Sequence, residues 1–248
     1  MIGYGFGFAH PPLTTFKVLI MFTLDQLLSA SSMKSKIVDE ADALPGRDDA
    51  LKLDYQHAVL PTKFSLPAKD SGLTYCLLGM GCFWGAERAF WENAAVHSTA
   101  VGYAAGFTPN PSYEEVCSGQ TGHTEVVLVI FDPKVFLFKD LVHDFFALHN
   151  PTQGMRQGND RGTQYRSGIY LNDPTTLNEF EVTARTAMND YAKLLEKQSL
   201  ELSSELRTDV KFYYAEQYHQ QYLAKNPGGY CNLQSIDKTH LPEPRSLG

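Results

Sequence analysis

Cations are in the minority in this chain. Its 21 lysines and arginines stand against 28 aspartates and glutamates, a formal charge of -7, and no basic run occurs, which excludes the footprint of a nucleic-acid binder. No arginine precedes Arg47 and no lysine precedes Lys17, so the start lacks the marks of a mitochondrial leader or a secretory signal. Long uncharged apolar runs are missing as well: the stretch 16–28 is broken by Lys17 and Asp25 and falls short of the ~20 residues of a membrane helix. Cysteine is scarce. Cys76, Cys82, Cys117 and Cys231 contain no C-x-x-C pair, which argues against a zinc ribbon or a thioredoxin-type motif, and a chain of 248 residues has core enough to do without disulfide staples. A reducing compartment is expected, the cytoplasm first and the mitochondrion second.

What is present reads as an ordinary globular protein without repeats. Residues 1–34 form an N-terminal extension with no assignable role, and 35–72, rich in charge and proline, form an irregular arm with a turn at Leu44, Pro45, Gly46 and Arg47. A domain occupies 73–233 and a short tail 234–248. Within the domain, apolar runs predict strands over 74–78, 98–103, 124–131, 165–171 and 208–211. Helical spacing covers 83–93, 135–149 and 215–224, and Asp173 with Pro174 is an N-cap and N1 pair for a helix reaching Lys197. The irregular alternation predicts an α+β fold: a two-layer sandwich with a mixed, largely antiparallel sheet, helices packed on it, the irregular arm and a flexible C-terminal tail.

The chemistry centres on Gly79, Met80, Gly81, Cys82, Phe83, Trp84, Gly85, Ala86 and Glu87. Cys82 falls where a strand turns into a helix, so first-turn amides are expected to favour its thiolate and lower its pKa. Phe83 and Trp84 set an apolar surface beside the sulfur. An isolated cysteine is more often core, but glycines on both sides argue for access.

Partners for Cys82 are not selected by position alone. Glu125 opens the strongest strand, although an acid at a strand mouth is usually just solvated. Tyr113 and Tyr165 fit core-edge tyrosines equally well, and His123, His143, His149 and His219 are all conceivable bases. The polar loop 152–162 is long enough to suggest function. Cys231 follows Asn226, Pro227, Gly228, Gly229 and Tyr230, a mobile setting from which a second thiol can reach a distant sulfenic acid. Cys76 and Cys117 read as inert core thiols.

Together these blocks resemble the peptide methionine sulfoxide reductase A family. Gly81-Cys82-Phe83-Trp84-Gly85-Ala86-Glu87 is similar to its signature, and the likeness continues in order through Asn110-Pro111-Ser112-Tyr113, Thr121-Gly122-His123-Thr124-Glu125, Gly158-Asn159-Asp160, Gln164-Tyr165-Arg166, Tyr218-His219-Gln220-Gln221-Tyr222 and Gly229-Tyr230-Cys231. The resemblance implies that the Cys82 thiolate attacks the sulfur of methionine S-sulfoxide, Glu125 supplies a proton to the oxide, and Tyr113 and Tyr165 hydrogen-bond that oxygen. It further implies a methyl pocket at Phe83 and Trp84, a hold on the methionine main chain by Asp160, His219 and Tyr222, and a Cys82–Cys231 disulfide recycled by thioredoxin. Glu125 should then be desolvated, with a raised pKa. No bound cofactor or metal is expected. The implied partners are oxidised proteins or peptides and thioredoxin, with neither nucleic acid nor membrane, and the chain is expected to be a monomer.

Three positions depart from the family pattern. No cysteine follows Cys231, Asn150 replaces an aspartate, and Ala105 replaces a glycine in Gly102-Tyr103-Ala104-Ala105-Gly106. Two rival readings are a cysteine hydrolase or acyltransferase with His123 or His219 as base, and a peptide-binding module with an aromatic groove.

Overall fold

The computed structural model describes residues 35–231 and 233. Six strands form one sheet in the order β7-β6-β1-β3-β2-β8: β1 (Thr74–Met80), β2 (Val96–Ala104), β3 (Thr124–Phe131), β6 (Ser167–Leu171), β7 (Glu205–Thr208) and β8 (Phe212–Tyr214). Only β6 and β7 run parallel; every other pairing in this sheet is antiparallel. A small hairpin, β4 (Arg156–Gln157) with β5 (Asp160–Arg161), lies outside it. The helices are α1 (Phe83–Trp91), α2 (Tyr113–Ser118), α3 (Phe138–Leu148), α4 (Leu177–Glu196) and the short α5 (Tyr222–Lys225). This is the expected α+β architecture, mixed and largely antiparallel.

Alternation along the strands explains the two layers. Cys76, Leu78 and Met80 of β1 and Val127, Val129 and Phe131 of β3 point to one face, where Phe90, Phe138, Phe145, Phe180 and Leu195 cover them from the helices. Leu77, Leu128, Ile130 and Tyr170 point to the other. There the cover comes largely from the arm and the edge: fully buried Phe64, with Leu53 and Tyr55, packs beside Phe212 and Tyr214. The arm thus completes the core, although its proline-rich sequence predicts no regular element.

Local details depart from the sequence in explicable ways. The N-cap of α4 is Thr176, not Asp173. Asp173 instead accepts the Thr175 N–H at 2.9 Å and the Thr74 hydroxyl at 2.8 Å, tying the approach to the helix onto β1. The stretch 215–224 is mostly turn, with only Tyr222–Lys225 helical, because buried Gln220 spends its side chain on Val101 and Ala215. Cys76 is a buried core thiol, as expected.

Candidate active site

Strand β1 ends at Met80, Gly81 takes a left-handed turn at φ 87, and Cys82 caps α1. A side chain at residue 81 would run into Gln157, whose amide grips the Asn150 main chain at 3.1 and 2.9 Å, so glycine is required there. Glu125 lies beside this junction. Its register partner is Tyr103 on β2, and its carboxylate accepts the Phe83 N–H at 3.0 Å. A β3 carboxylate is thereby fixed under the first amide after the cysteine.

Glu125 is only 1% exposed. Burial pushes its pKa up to about 8; the Phe83 N–H pulls down and Asp160 adds a further rise. The desolvation expected of an acid in this position is present. Cys82 corrects the expectation of a lowered pKa: burial drives the thiol well above its ordinary value and the Glu125 charge adds to this, while the Trp84 and Gly85 amides pull the other way. The helix amides act as expected, but desolvation outweighs them and the Glu125 charge adds to it.

Both tyrosines converge on the same place. Burial raises the Tyr113 and Tyr165 phenols above their ordinary value, and for each the next cause is the Glu125 carboxylate. Both are therefore neutral O–H donors at physiological pH. Tyr113 opens α2, whose N-terminus is closed by a capping box of Ser112 and Glu115, and Glu216 accepts the Tyr113 N–H at 2.8 Å. Glu216 also accepts the Tyr103 hydroxyl at 2.9 Å.

Aromatic rings enclose the other side. Trp84 stacks on Tyr222 with centroids 3.9 Å apart and donates its indole N–H to His219 Nδ1 at 3.0 Å. His219 lies 5.1 Å from the Phe83 ring and 4.5 Å from the Tyr113 ring. Burial lowers its pKa to about 4, so it is neutral with the proton on Nε2. That buried N–H has no hydrogen-bond partner among the described residues, and Glu216 Oε2 stands off at 3.9 Å. Asp160, at the start of β5, accepts the Tyr230 hydroxyl at 3.1 Å, which brings the tail to the site. Cys231 is exposed, and its sulfur would lie 3.1 Å from a Cβ placed on Gly85 in the first turn of α1.

Two of the other candidate histidines have structural work, while His143 sits on α3 with its Nδ1 3.6 Å from Asp144. His123 accepts the Gly106 N–H and donates to the Thr108 carbonyl at 2.7 Å, while His149 donates to the Phe145 carbonyl at 2.6 Å and accepts the Ser167 hydroxyl. Neither serves as a base for Cys82.

Sequence reasoning missed several contributors. Cys117 is half-buried one helical turn from Tyr113 and hydrogen-bonded to its phenol, so it is no core thiol. Glu87, fully buried, accepts the Gln221 main-chain and side-chain N–H groups at 2.8 Å each and the Thr99 hydroxyl at 3.2 Å; burial lifts its pKa to about 7. It holds Gln221 in a left-handed conformation, φ 49, immediately before Tyr222. A carboxylate one helical turn behind Phe83 was the available signal. Among the described residues no group of histidine, cysteine and carboxylate side chains could hold a metal, and no helix is long and apolar enough to cross a membrane.

Comparison with known proteins points one way. A family model described as peptide methionine sulfoxide reductase matches residues 74–243. The peptide methionine sulfoxide reductase MsrA of Rippkaea orientalis is 54% identical over 194 residues, 77% of this chain and 86% of the relative. That of Vibrio cholerae is 52% identical over 201 residues, 81% and 92% of the two chains. Among solved structures, methionine sulfoxide reductase A of Corynebacterium diphtheriae superposes with a TM-score of 0.66 at 39% identity, covering 84% of this chain and all of that one. Reduced Mxr1 from Saccharomyces cerevisiae does so with 0.58 at 33% identity, covering 72% and 97%.

Proposed function

This chain belongs to the peptide methionine sulfoxide reductase family, and from that premise we propose that it reduces methionine S-sulfoxide in proteins and peptides through a Cys82 sulfenic acid and a Cys82–Cys231 disulfide. The observation that carries the reading is the contact of Glu125 with the Phe83 N–H: it places a buried acid, half protonated near pH 8, beside the cap cysteine.

The sulfoxide methyl lodges between Phe83 and Trp84, with the oxide facing Glu125, Tyr113 and Tyr165. The Cys82 thiolate attacks sulfur while Glu125 gives its proton to the oxide oxygen, and the two phenols donate to the developing charge; each such donor supplies roughly 3 kcal/mol in comparable sites. Protonating Glu125 also removes one of the charges that oppose Cys82 ionisation, which leaves burial as the main opposing cause and the Trp84 and Gly85 amides as the groups that favour the thiolate. The hydroxyl passes from the substrate sulfur to the Cys82 sulfur, so that the S–O bond of the substrate and the bond formed between the two sulfurs both break, methionine leaves as the thioether and Cys82 is left as the sulfenic acid: the substrate sulfur is reduced by two electrons and the thiol oxidised by two. Cys231 then attacks Cys82, water departs, and a disulfide forms. Thioredoxin, a dithiol, restores both thiols by exchange and becomes the disulfide itself. With no cysteine among residues 232–248 to relay it, the exchange is assigned to this bond itself.

Asp160 and the unshared Nε2–H of His219 offer an acceptor and a donor for the substrate main chain. Tyr222 contributes the wall behind Trp84. The chain acts as a monomer, without a bound cofactor, in the cytoplasm. To test the reading, the reduced protein is mixed with a methionine S-sulfoxide peptide without reductant. One methionine per protein and a Cys82–Cys231 disulfide by peptide mass mapping are expected; thioester hydrolysis without reduction would instead favour the hydrolase.

A further inference from the structure

The arm touches more than the back of the sheet. At Leu44–Asp48 it turns across the segment that leads into α2. The Leu44 N–H donates to the Gln120 carbonyl at 3.0 Å, and the Thr108 hydroxyl donates to the Leu44 carbonyl at 2.9 Å. The Arg47 N–H donates to the Pro109 carbonyl at 3.0 Å, and its guanidinium spans the Asn110 carbonyl at 2.6 Å and Glu115 Oε1 at 2.8 Å. In return, Asn110 donates its side-chain amide to the Arg47 and Asp48 carbonyls at 2.8 and 3.2 Å.

Two features of the gripped segment fit such a hold. Asn110 stands at φ 45, in the left-handed region that asparagine tolerates better than other side chains, and its side-chain amide is tied to the arm in that conformation. Glu115 is shared: Oε2 closes the capping box on the Ser112 N–H at 2.8 Å while Oε1 takes Arg47. The cap residue Ser112 immediately precedes Tyr113. We infer that the Gly46–Asp48 turn of the arm is a clasp that positions the Tyr113 phenol for the oxide, with Arg47 as its positioning residue. The inference rests on the oxide-binding role given to Tyr113 above.

Gly46 fits the same account. It sits at φ 66 directly against Pro109, and a Cβ there would strike the Pro109 carbonyl oxygen and ring. A side chain at residue 46 therefore pushes the turn off the segment it grips without changing any charge. Arg47 itself is half exposed, so as a surface ion pair it contributes little to stability. Its effect is on geometry, where a displacement of an ångström can cost up to ~100-fold in rate.

The test measures single-turnover methionine formation from a sulfoxide peptide by the full chain. R47A and G46A are each expected to slow it about tenfold, with R47K between R47A and wild type; the melting temperatures of R47A and R47K should stay close to wild type, while that of G46A should fall because an alanine is forced into φ 66 against Pro109. The deciding readout is coupling. R47A should add nothing to Y113F beyond about twofold, since the phenol it aims is gone, yet should still slow Y165F about tenfold. Wild-type rates in both R47A and G46A, or an undiminished R47A effect in the Y113F background, would overturn the clasp while leaving the reaction intact. A Y113F rate equal to wild type would overturn the role of Tyr113 itself, and the clasp with it.

Discussion

The Glu125 carboxylate accepts the Phe83 N–H at 3.0 Å, one residue beyond Cys82, so the buried acid and the cap cysteine are joined through a single backbone amide. Strand β3 and the start of α1 cannot shift separately without breaking this bond. The proposed acid and the proposed nucleophile are thus held in register by the main chain.

That bond predicts the pH profile. The acid is competent when protonated, and burial places its midpoint at about 8, so the advantage of the wild-type chain over E125Q in single-turnover sulfoxide reduction, in which the ionisation of Cys82 is common to both, should hold through neutrality and shrink as pH rises through about 8. Glu125→Gln cannot donate a proton and should lose ~100-fold or more in rate. A flat profile to pH 10 with full activity of E125Q, read by rapid-quench methionine formation, would exclude the role.

Stability should respond to pH with an opposite balance on either side of neutrality. Glu125 and Glu87 have folded pKa values raised to about 8 and 7, so above the ordinary value of 4.5 the folded chain binds more protons than the unfolded one, and these groups lower stability as pH rises. His57, His123, His149 and His219 are lowered to about 4 from 6.5; below 6.5 the unfolded chain binds their protons more tightly, so they raise stability as pH rises towards that value. Four gains against two losses give a rise up to about pH 6.5, and the carboxyls alone give a decline from there to about 8. Denaturant unfolding across this range should show the maximum, and E125Q should flatten its alkaline side.

Gly85 should separate the two chemical steps. A Cβ there would stand 3.1 Å from the Cys231 sulfur and 3.2 Å from the Leu233 Cβ, tight for alanine and too close for valine. In Gly85→Val one methionine per protein should still form, while the disulfide forms at least tenfold more slowly and a sulfenic acid trappable by a carbon nucleophile accumulates. Unchanged disulfide formation by mass mapping would show that the tail does not approach over this turn.

Ala105 predicts a stabilising substitution. It is buried at φ 61, and its carbonyl accepts from Arg166 at 3.1 Å and Arg207 at 2.8 Å, which holds an alanine where glycine is at ease. Ala105→Gly should stabilise by up to about 1 kcal/mol, the relief of left-handed strain less the added freedom of the unfolded chain. A lower melting temperature would contradict this.

The sequence revealed the parts of this molecule whose chemistry is local. Strand β3 was legible because Thr124–Phe131 is unbroken by glycine or proline, and the Cys82 turn because glycines flank it. Glu125 could not be distinguished from a solvated acid by pattern alone, since its burial depends on α1 closing over β3. The thiol of Cys82 was misjudged in direction because helix amides are visible in a sequence and desolvation is not. The short helix α2 and the turns at 215–221 owe their shape to the capping box and to the amide of Gln220, both of which need distant partners before they mean anything.

The family model starts at residue 74, whereas the core does not. A recombinant chain begun there would leave Leu77, Leu128 and Ile130 without Phe64, Leu53 and Tyr55 above them, one bare face on an otherwise finished sheet. Such a fragment should come out of the cell as aggregate rather than as a weaker catalyst, and for this protein the practical boundary of the folding unit lies upstream of the segment by which its kin are recognised.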